Sequence, residues 1–268
     1  MKTINFIYFF LFIFCLQKEI SFSQIDFKNI NYDSLMRNYY GIFLIADTKD
    51  SILYAYNDSG SYKRYSPYST FKILNSLIGL ETGVITDENF GIKWDGKKRW
   101  FEVWNRDHDL KSAFANSVVW FYQEVARRIG YKKMKKFIDL VNYGNCDISG
   151  GIDNFWLGSS LKISTKEQLK FLIELINYKL PFKRENIDIV KKIMILKEKD
   201  GLILSGKTGS SSLDNKGVSI GWFVGYIQYK GETYVYVIFL KGKEASGINA
   251  KNILYKIINK SFKINLEE

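Results

Sequence analysis

Ser69-Thr70-Phe71-Lys72 sets a hydroxyl and an amine one helical turn apart at the head of the apolar run that begins Ile73-Leu74. Residues three apart on a helix share a face, with Cβ atoms roughly 5 to 6 Å apart, so the lysine amine reaches the serine oxygen without help from the rest of the chain. The four residues read as a serine nucleophile with a built-in base, opening a helix over 69–82 that stops at Gly83. A second copy, Ser159-Ser160-Leu161-Lys162, falls on a turn ahead of a later helix and reads as a chance match. The neighbours of each copy decide between them.

Working outward, 41–47 and 52–56 read as two strands joined by the polar turn Thr48-Lys49-Asp50-Ser51. After the first helix, 84–108 reads as a loop rich in tryptophan (Trp94, Trp100, Trp104), aromatics that serve packing. Helical patterns follow over 109–116, 119–129 and 132–141. Ser164-Thr165-Lys166-Glu167 is a capping box ahead of the apolar run 169–176, and a further helix is expected over 185–195. The last third turns β-rich over 202–207, 218–228 and 233–240, before a closing helix over 249–262. Strands at both ends with helices between predict an α/β fold of the α+β type. Both chain ends form a central antiparallel sheet, flanked by helices, with a helical lobe inserted. The expected single catalytic domain is 24–268, its sheet drawn from 38–66 and 200–268 and its lobe from about 84–195.

Residues 1–23 carry the marks of a signal peptide: Lys2, an apolar stretch from Phe6 to Leu16, and Ser21-Phe22-Ser23 as a cleavage site. Eleven apolar residues fall short of the roughly 20 that a spanning helix needs, so cleavage near Ser23 and a periplasmic or secreted domain are expected, with no stable membrane anchor. Only Cys146 then remains, which excludes an internal disulfide and a cysteine-rich zinc site. His108 is the sole histidine and, between Asp107 and Asp109, reads as a surface residue; no metal site is expected, and the base is not imidazole. The formal charge of +11 is spread along the chain, and Lys132, Lys133, Lys135 and Lys136 read as one solvated helix face, so no nucleic-acid partner is expected.

Three further signals follow Ser69 in order: Ser117-Val118-Val119 at a break between helices, Tyr143-Gly144-Asn145 after a helix, and Lys207-Thr208-Gly209 at the end of a β-run. Together with Trp156 in Asp153-Asn154-Phe155-Trp156-Leu157 and the strand Gly221-Trp222-Phe223-Val224-Gly225, this ordered set resembles the class D serine β-lactamases. The resemblance covers nearly all of the chain after the leader. It implies the serine β-lactamase and penicillin-binding transpeptidase fold, a small-molecule β-lactam substrate, and antibiotic resistance through an acyl-enzyme on Ser69.

Chemistry explains the residue types. A serine hydroxyl attacks a lactam carbonyl at neutral pH only when a base takes its proton, and Lys72 serves only when neutral. Burial can lower a lysine pKa by up to about 3 to 5 units. The resemblance implies that Lys72 then adds carbon dioxide to become N6-carboxylysine, the base for both acylation and deacylation; no other cofactor is implied. Val119 would keep that pocket dry, and the Trp156 indole N–H would hold a carbamate oxygen. Ser117 and Lys207 would pass a proton to the leaving lactam nitrogen, and Thr208 would bind the substrate carboxylate. Gly209 would let the substrate lie close to the strand, with the Ser69 and Ser210 N–H groups binding the oxyanion. Tyr143-Gly144-Asn145 reads as architectural. Where many family members carry an arginine on the last helix, this chain has Ala250 with Lys251 alongside, so Lys251 is the candidate partner of the carboxylate, without the bidentate fork.

Three rivals share parts of this pattern. Penicillin-binding transpeptidases usually carry Ser-x-Asn where this chain has Ser117-Val118-Val119. The drug-sensing domain of a β-lactam receptor is acylated but hardly turns over, and sits behind membrane helices and a zinc-protease segment whose signals these 268 residues lack. An exported binding protein without activity would not react at all. The sequence leaves the oligomeric state open.

Overall fold

The computed structural model describes residues 25–267; the expected leader, 1–23, lies outside the described residues. In chain order the elements are α1 (Tyr32–Met36), β1 (Tyr40–Asp47), β2 (Ile52–Tyr56), a 3-10 turn at Tyr68–Phe71, α2 (Lys72–Glu81), β3 (Gly91–Ile92), β4 (His108–Asp109), α3 (Leu110–Ala115), α4 (Val119–Ile129), α5 (Tyr131–Val141), α6 (Thr165–Ile176), α7 (Arg184–Ile193), β5 (Ile195–Lys199), β6 (Leu202–Ser210), β7 (Val218–Tyr229), β8 (Glu232–Lys243) and α8 (Gly247–Phe262).

The main sheet runs β2-β1-β8-β7-β6-β5 with every neighbouring pair antiparallel. The two ends of the chain meet inside it, where β1 pairs with β8 in the register Phe43↔Ile238 and Leu44↔Val237. The α+β architecture read from the sequence is therefore the one observed. Because successive side chains of a strand point to opposite faces, the sheet feeds two cores. Ile42, Leu44 and Ala46 join α2 and the helical lobe, whereas Phe43 and Ile45 join α1, α8 and the end of the chain. Burial on both faces explains why β7 and β8 read as nearly unbroken apolar runs rather than alternating ones.

Helix α2 is buried along its length from Lys72 to Leu80, the pattern of a helix threaded through a core. It carries the Ser-x-x-Lys amine into a place water does not reach.

Four features depart from the sequence reading. The helix expected over 185–195 ends at Ile193, and Ile195–Lys199 forms the edge strand β5, whose charged Lys197, Glu198 and Lys199 suit an open sheet edge and mask its β character. The segment 84–108 holds a short ribbon, β3 with β4. That ribbon carries His108 inward to 3% exposure, where its ring nitrogens meet Ser112 Oγ at 3.1 Å and the Val103 carbonyl at 2.9 Å; it is not the expected surface histidine. The short helix α1 gave no periodic signal because only Tyr32 and Met36 of its five residues are buried.

Candidate active site

Ser69, the expected nucleophile, sits on a tight entry into α2. Tyr68 takes a left-handed backbone at φ +50°, its N–H bonded to the Trp156 carbonyl, and the 3-10 turn that follows lifts half-buried Ser69 to the head of the helix. Lys72 continues the chain as the first α-helical residue, and its Nζ donates to Ser69 Oγ at 2.9 Å. The Lys72 side chain has no exposed surface. Burial, followed by the nearby charge of Lys207, holds its amine well below the ordinary lysine range. Under it lies Tyr122, with its ring centre 5.2 Å from Nζ and its hydroxyl 2.9 Å from Ser76 Oγ, which in turn donates to the Lys72 carbonyl.

A second serine–lysine pair faces the first. Ser117 lies in the break between α3 and α4 with φ +54°, and Lys207 Nζ donates a short hydrogen bond to its Oγ. Lys207 is 4% exposed, and burial brings its pKa down to about 7. Val119 opens α4, half-buried, two residues after Ser117.

Lys207, Thr208, Gly209 and Ser210 close β6. Gly209 lies against the turn that carries Ser69, where a Cβ would stand 2.9 Å from the Pro67 carbonyl oxygen and 3.3 Å from the Thr70 nitrogen. Only glycine allows β6 to approach that closely. Ser211 donates its N–H across to Ile220 on β7, so strand alternation turns the Ser210 N–H to the opposite side, where β5 has stopped pairing at Ser205. The Ser210 hydroxyl accepts from the Gly247 N–H at 2.9 Å and so ties β6 to the start of α8. Thr208 packs against the same residue.

Trp156 has no exposed surface, stacks on Phe71 with ring centres 5.4 Å apart, and its indole N–H has no hydrogen-bond partner. An unpaired buried donor is costly, and this one lies beside the turn that carries Ser69 and Lys72. Lys251 is half-buried one turn beyond Gly247 on α8, with its amine over the Tyr255 ring at 5.6 Å; Ala250 faces the core. The structure thus brings Ser69, Lys72, Ser117, Lys207 and Gly209 together, sets Trp156 beside them, and holds the Lys251 amine at Tyr255.

Tyr143-Gly144-Asn145 grips the segment carrying the second Ser-x-x-Lys copy. Gly144 has φ +62° and would bring a Cβ within 2.1 Å of the Lys162 carbonyl, and Asn145 exchanges hydrogen bonds with the Lys162 backbone. Lys162 itself turns to Ser66 Oγ at 2.7 Å rather than to Ser159. Two polar residues received no role from the sequence, Thr70 and Gln168, which are joined by a buried hydrogen bond. Gln168 had a readable signal, since it occupies the apolar stripe of α6 beside Leu169 and Leu172. Among the described residues, no group of three His, Cys, Asp or Glu side chains is placed to hold a metal ion.

The profile of the penicillin-binding protein transpeptidase domain matches residues 36–259, the class of protein that this sheet and paired serine–lysine site define. The chain is 43% identical over 237 residues to probable β-lactamase YbxI of Bacillus subtilis, covering 88% of this chain and 86% of that protein. A crystal structure of a class D β-lactamase from Bacillus subtilis superposes with a TM-score of 0.83 at 43% identity, covering 90% of this chain and all of the other. The C-terminal domain of the Bacillus licheniformis BlaR penicillin receptor is also similar, with a TM-score of 0.81 at 33% identity over 86% of this chain and 94% of that one. This chain belongs to the class D serine β-lactamases.

Proposed function

We propose that this protein hydrolyses β-lactam antibiotics through an acyl-enzyme on Ser69, with Lys72 carbamylated as the base, and so confers resistance. The observation that carries the reading is the Lys72 amine, 2.9 Å from Ser69 Oγ on a side chain with no exposed surface. A neutral amine there is free to add carbon dioxide, and the partnerless indole N–H of Trp156 is a donor suited to a carbamate oxygen. Carbamylation would supply a carboxylate-like base of ordinary strength in a site that has no histidine or acid.

Ser69 Oγ attacks the lactam carbonyl while its proton passes to that base. The C–N bond breaks, and the nitrogen takes a proton by way of Ser117 and Lys207. Gly209 brings β6 close enough for the Ser69 and Ser210 N–H groups to share the oxyanion. Thr208 and Lys251 bind the substrate carboxylate. Water activated by the same base then cleaves the ester and restores Ser69. The apolar leader directs export, with cleavage near Ser23, so the enzyme meets its substrate outside the cytoplasm.

Likeness to a penicillin receptor favours a second reading, a sensor that is acylated once. Turnover separates the two. With a chromogenic cephalosporin, the enzyme releases many equivalents of product, whereas a sensor stops near one equivalent bound at Ser69. Depletion of bicarbonate at low pH should cut turnover and its addition restore it; indifference to both would remove the carbamate from the mechanism.

A further inference from the structure

The turn that carries Ser69 is tied to the helical lobe by a buried chain of hydrogen bonds with a single direction. The Tyr143 hydroxyl donates to Gln168 Oε1 at 3.3 Å, Gln168 Nε2 donates to Thr70 Oγ1 at 2.7 Å, and the Thr70 hydroxyl donates to the Pro67 carbonyl at 2.8 Å. Thr70 and Gln168 have no exposed surface, and Tyr143 has 1%. A threonine hydroxyl has one proton, and Thr70 spends it on Pro67, so its oxygen accepts only from outside the turn. Gln168 Nε2 supplies such a donor, and the Tyr143 hydroxyl interacts with both Thr70 and Gln168.

Gln168 is itself held firmly. It stands in the first turn of α6, whose start is closed by the reciprocal capping of Ser164 and Glu167. Glu167 is gripped by Arg64 Nε at 3.0 Å, and the residue before the cap, Ile163, bridges Tyr65 in both directions at 2.8 and 2.9 Å. Its neighbours along the stripe, Leu169 and Leu172, are apolar, and a leucine at 168 would fill the same space without burying an amide. The atoms that the chain fixes, the Pro67 carbonyl and the Thr70 backbone, are the ones that Gly209 packs against. Their placement sets how far Ser69 stands from Ser210 and its N–H.

We infer that Gln168 is a positioning residue for the nucleophile, acting through Thr70 and oriented by Tyr143, so that loss of its amide slows acylation without weakening the initial binding of substrate. The inference rests on the β-lactamase reading above. The test is pre-steady-state acylation by a chromogenic cephalosporin, run on folded protein well below each unfolding midpoint, which separates noncovalent affinity from the acylation rate constant.

In Gln168→Leu and in Thr70→Val the acylation rate constant should fall about 10- to 100-fold, the loss typical of a reacting group displaced by up to an ångström. The noncovalent affinity should stay within about twofold, the split expected of a group that acts only in the transition state. Thr70→Ser, which keeps the hydroxyl, should recover the rate. The double variant should lose less than the sum of the two single losses, because both substitutions break the bond between Gln168 and Thr70. Wild-type acylation rate constants in the variants, with only a lowered unfolding midpoint, would overturn the inference and leave Gln168 a packing residue. Where Gln168→Leu does not fold, Gln168→Met, unbranched and of the same length but without the amide, takes its place under the same two outcomes. A wild-type protein that is not acylated at all overturns the β-lactamase reading instead.

Discussion

Gly209 and Pro67 meet so closely that a single added carbon on the glycine would stand 2.9 Å from the proline carbonyl oxygen. One residue of β6 thereby sets the gap between the strand and the turn that carries Ser69. Gly209→Ala should push the two apart and lower kcat/KM about 10- to 100-fold. The overpacking should also cost about 1 to 3 kcal/mol of stability. Steady-state kinetics with urea unfolding check both, and an alanine variant with unchanged kcat/KM would show that the contact does not govern the chemistry.

Lys207 gives the protein a pH-dependent stability of known sign. Its pKa is about 7 in the folded state against 10.5 as the ordinary value. A depressed value contributes stability that is present above 10.5 and lost as pH falls through that window towards about 7. The difference in unfolding free energy between wild type and Lys207→Met should therefore shift against the wild type from pH 10.5 down to about 7 and level off below. A difference that is flat with pH would mean that the ammonium is not penalised at this site.

Trp156→Phe keeps an aromatic ring between Phe71 and Phe155 but removes the partnerless N–H. If that donor serves a carbamate on Lys72, the bicarbonate concentration for half-maximal turnover should rise about 10- to 100-fold, matching the roughly 1.5 to 3 kcal/mol of a hydrogen bond to a charged group. Titration of turnover with bicarbonate is the measurement, and an unchanged midpoint would free the indole from this role.

Lys251 lies one turn beyond the residue of α8 that touches Thr208, with its amine over Tyr255. A side chain that only binds the substrate carboxylate should, when cut back in Lys251→Ala, raise KM about three- to tenfold while kcat holds, the signature of uniform binding lost. A silent substitution would take Lys251 out of the site, in keeping with an amine committed to Tyr255.

Legibility followed the range of the interaction. The helix of Lys72–Glu81, the β-hairpin after Tyr40 and the three C-terminal strands were readable because their signals lie within a few residues. Ser69 and Lys72 were readable for the same reason, being one turn apart. Their meeting with Lys207 depended on an ordered set of motifs, since no local rule brings positions so far apart in the chain together. Edge strand β5 escaped because charged residues suit an open edge as well as a helix surface. His108 was misjudged because its acidic neighbours suggested solvent, whereas the β3–β4 ribbon turns the ring inward. Gln168 was passed over because hydrophobic periodicity treats a lone amide on an apolar stripe as noise.

The pairing of β1 with β8 and the late place of β6 in the chain also fix when the candidate site can assemble. A nascent chain that has emerged as far as residue 200 already carries Ser69 and Lys72, yet it has neither Lys207 nor Ser210, and its β1 is paired with β2 alone, without β8. The candidate site is therefore complete only once β6 has paired with β7 and β8 has closed the sheet on β1.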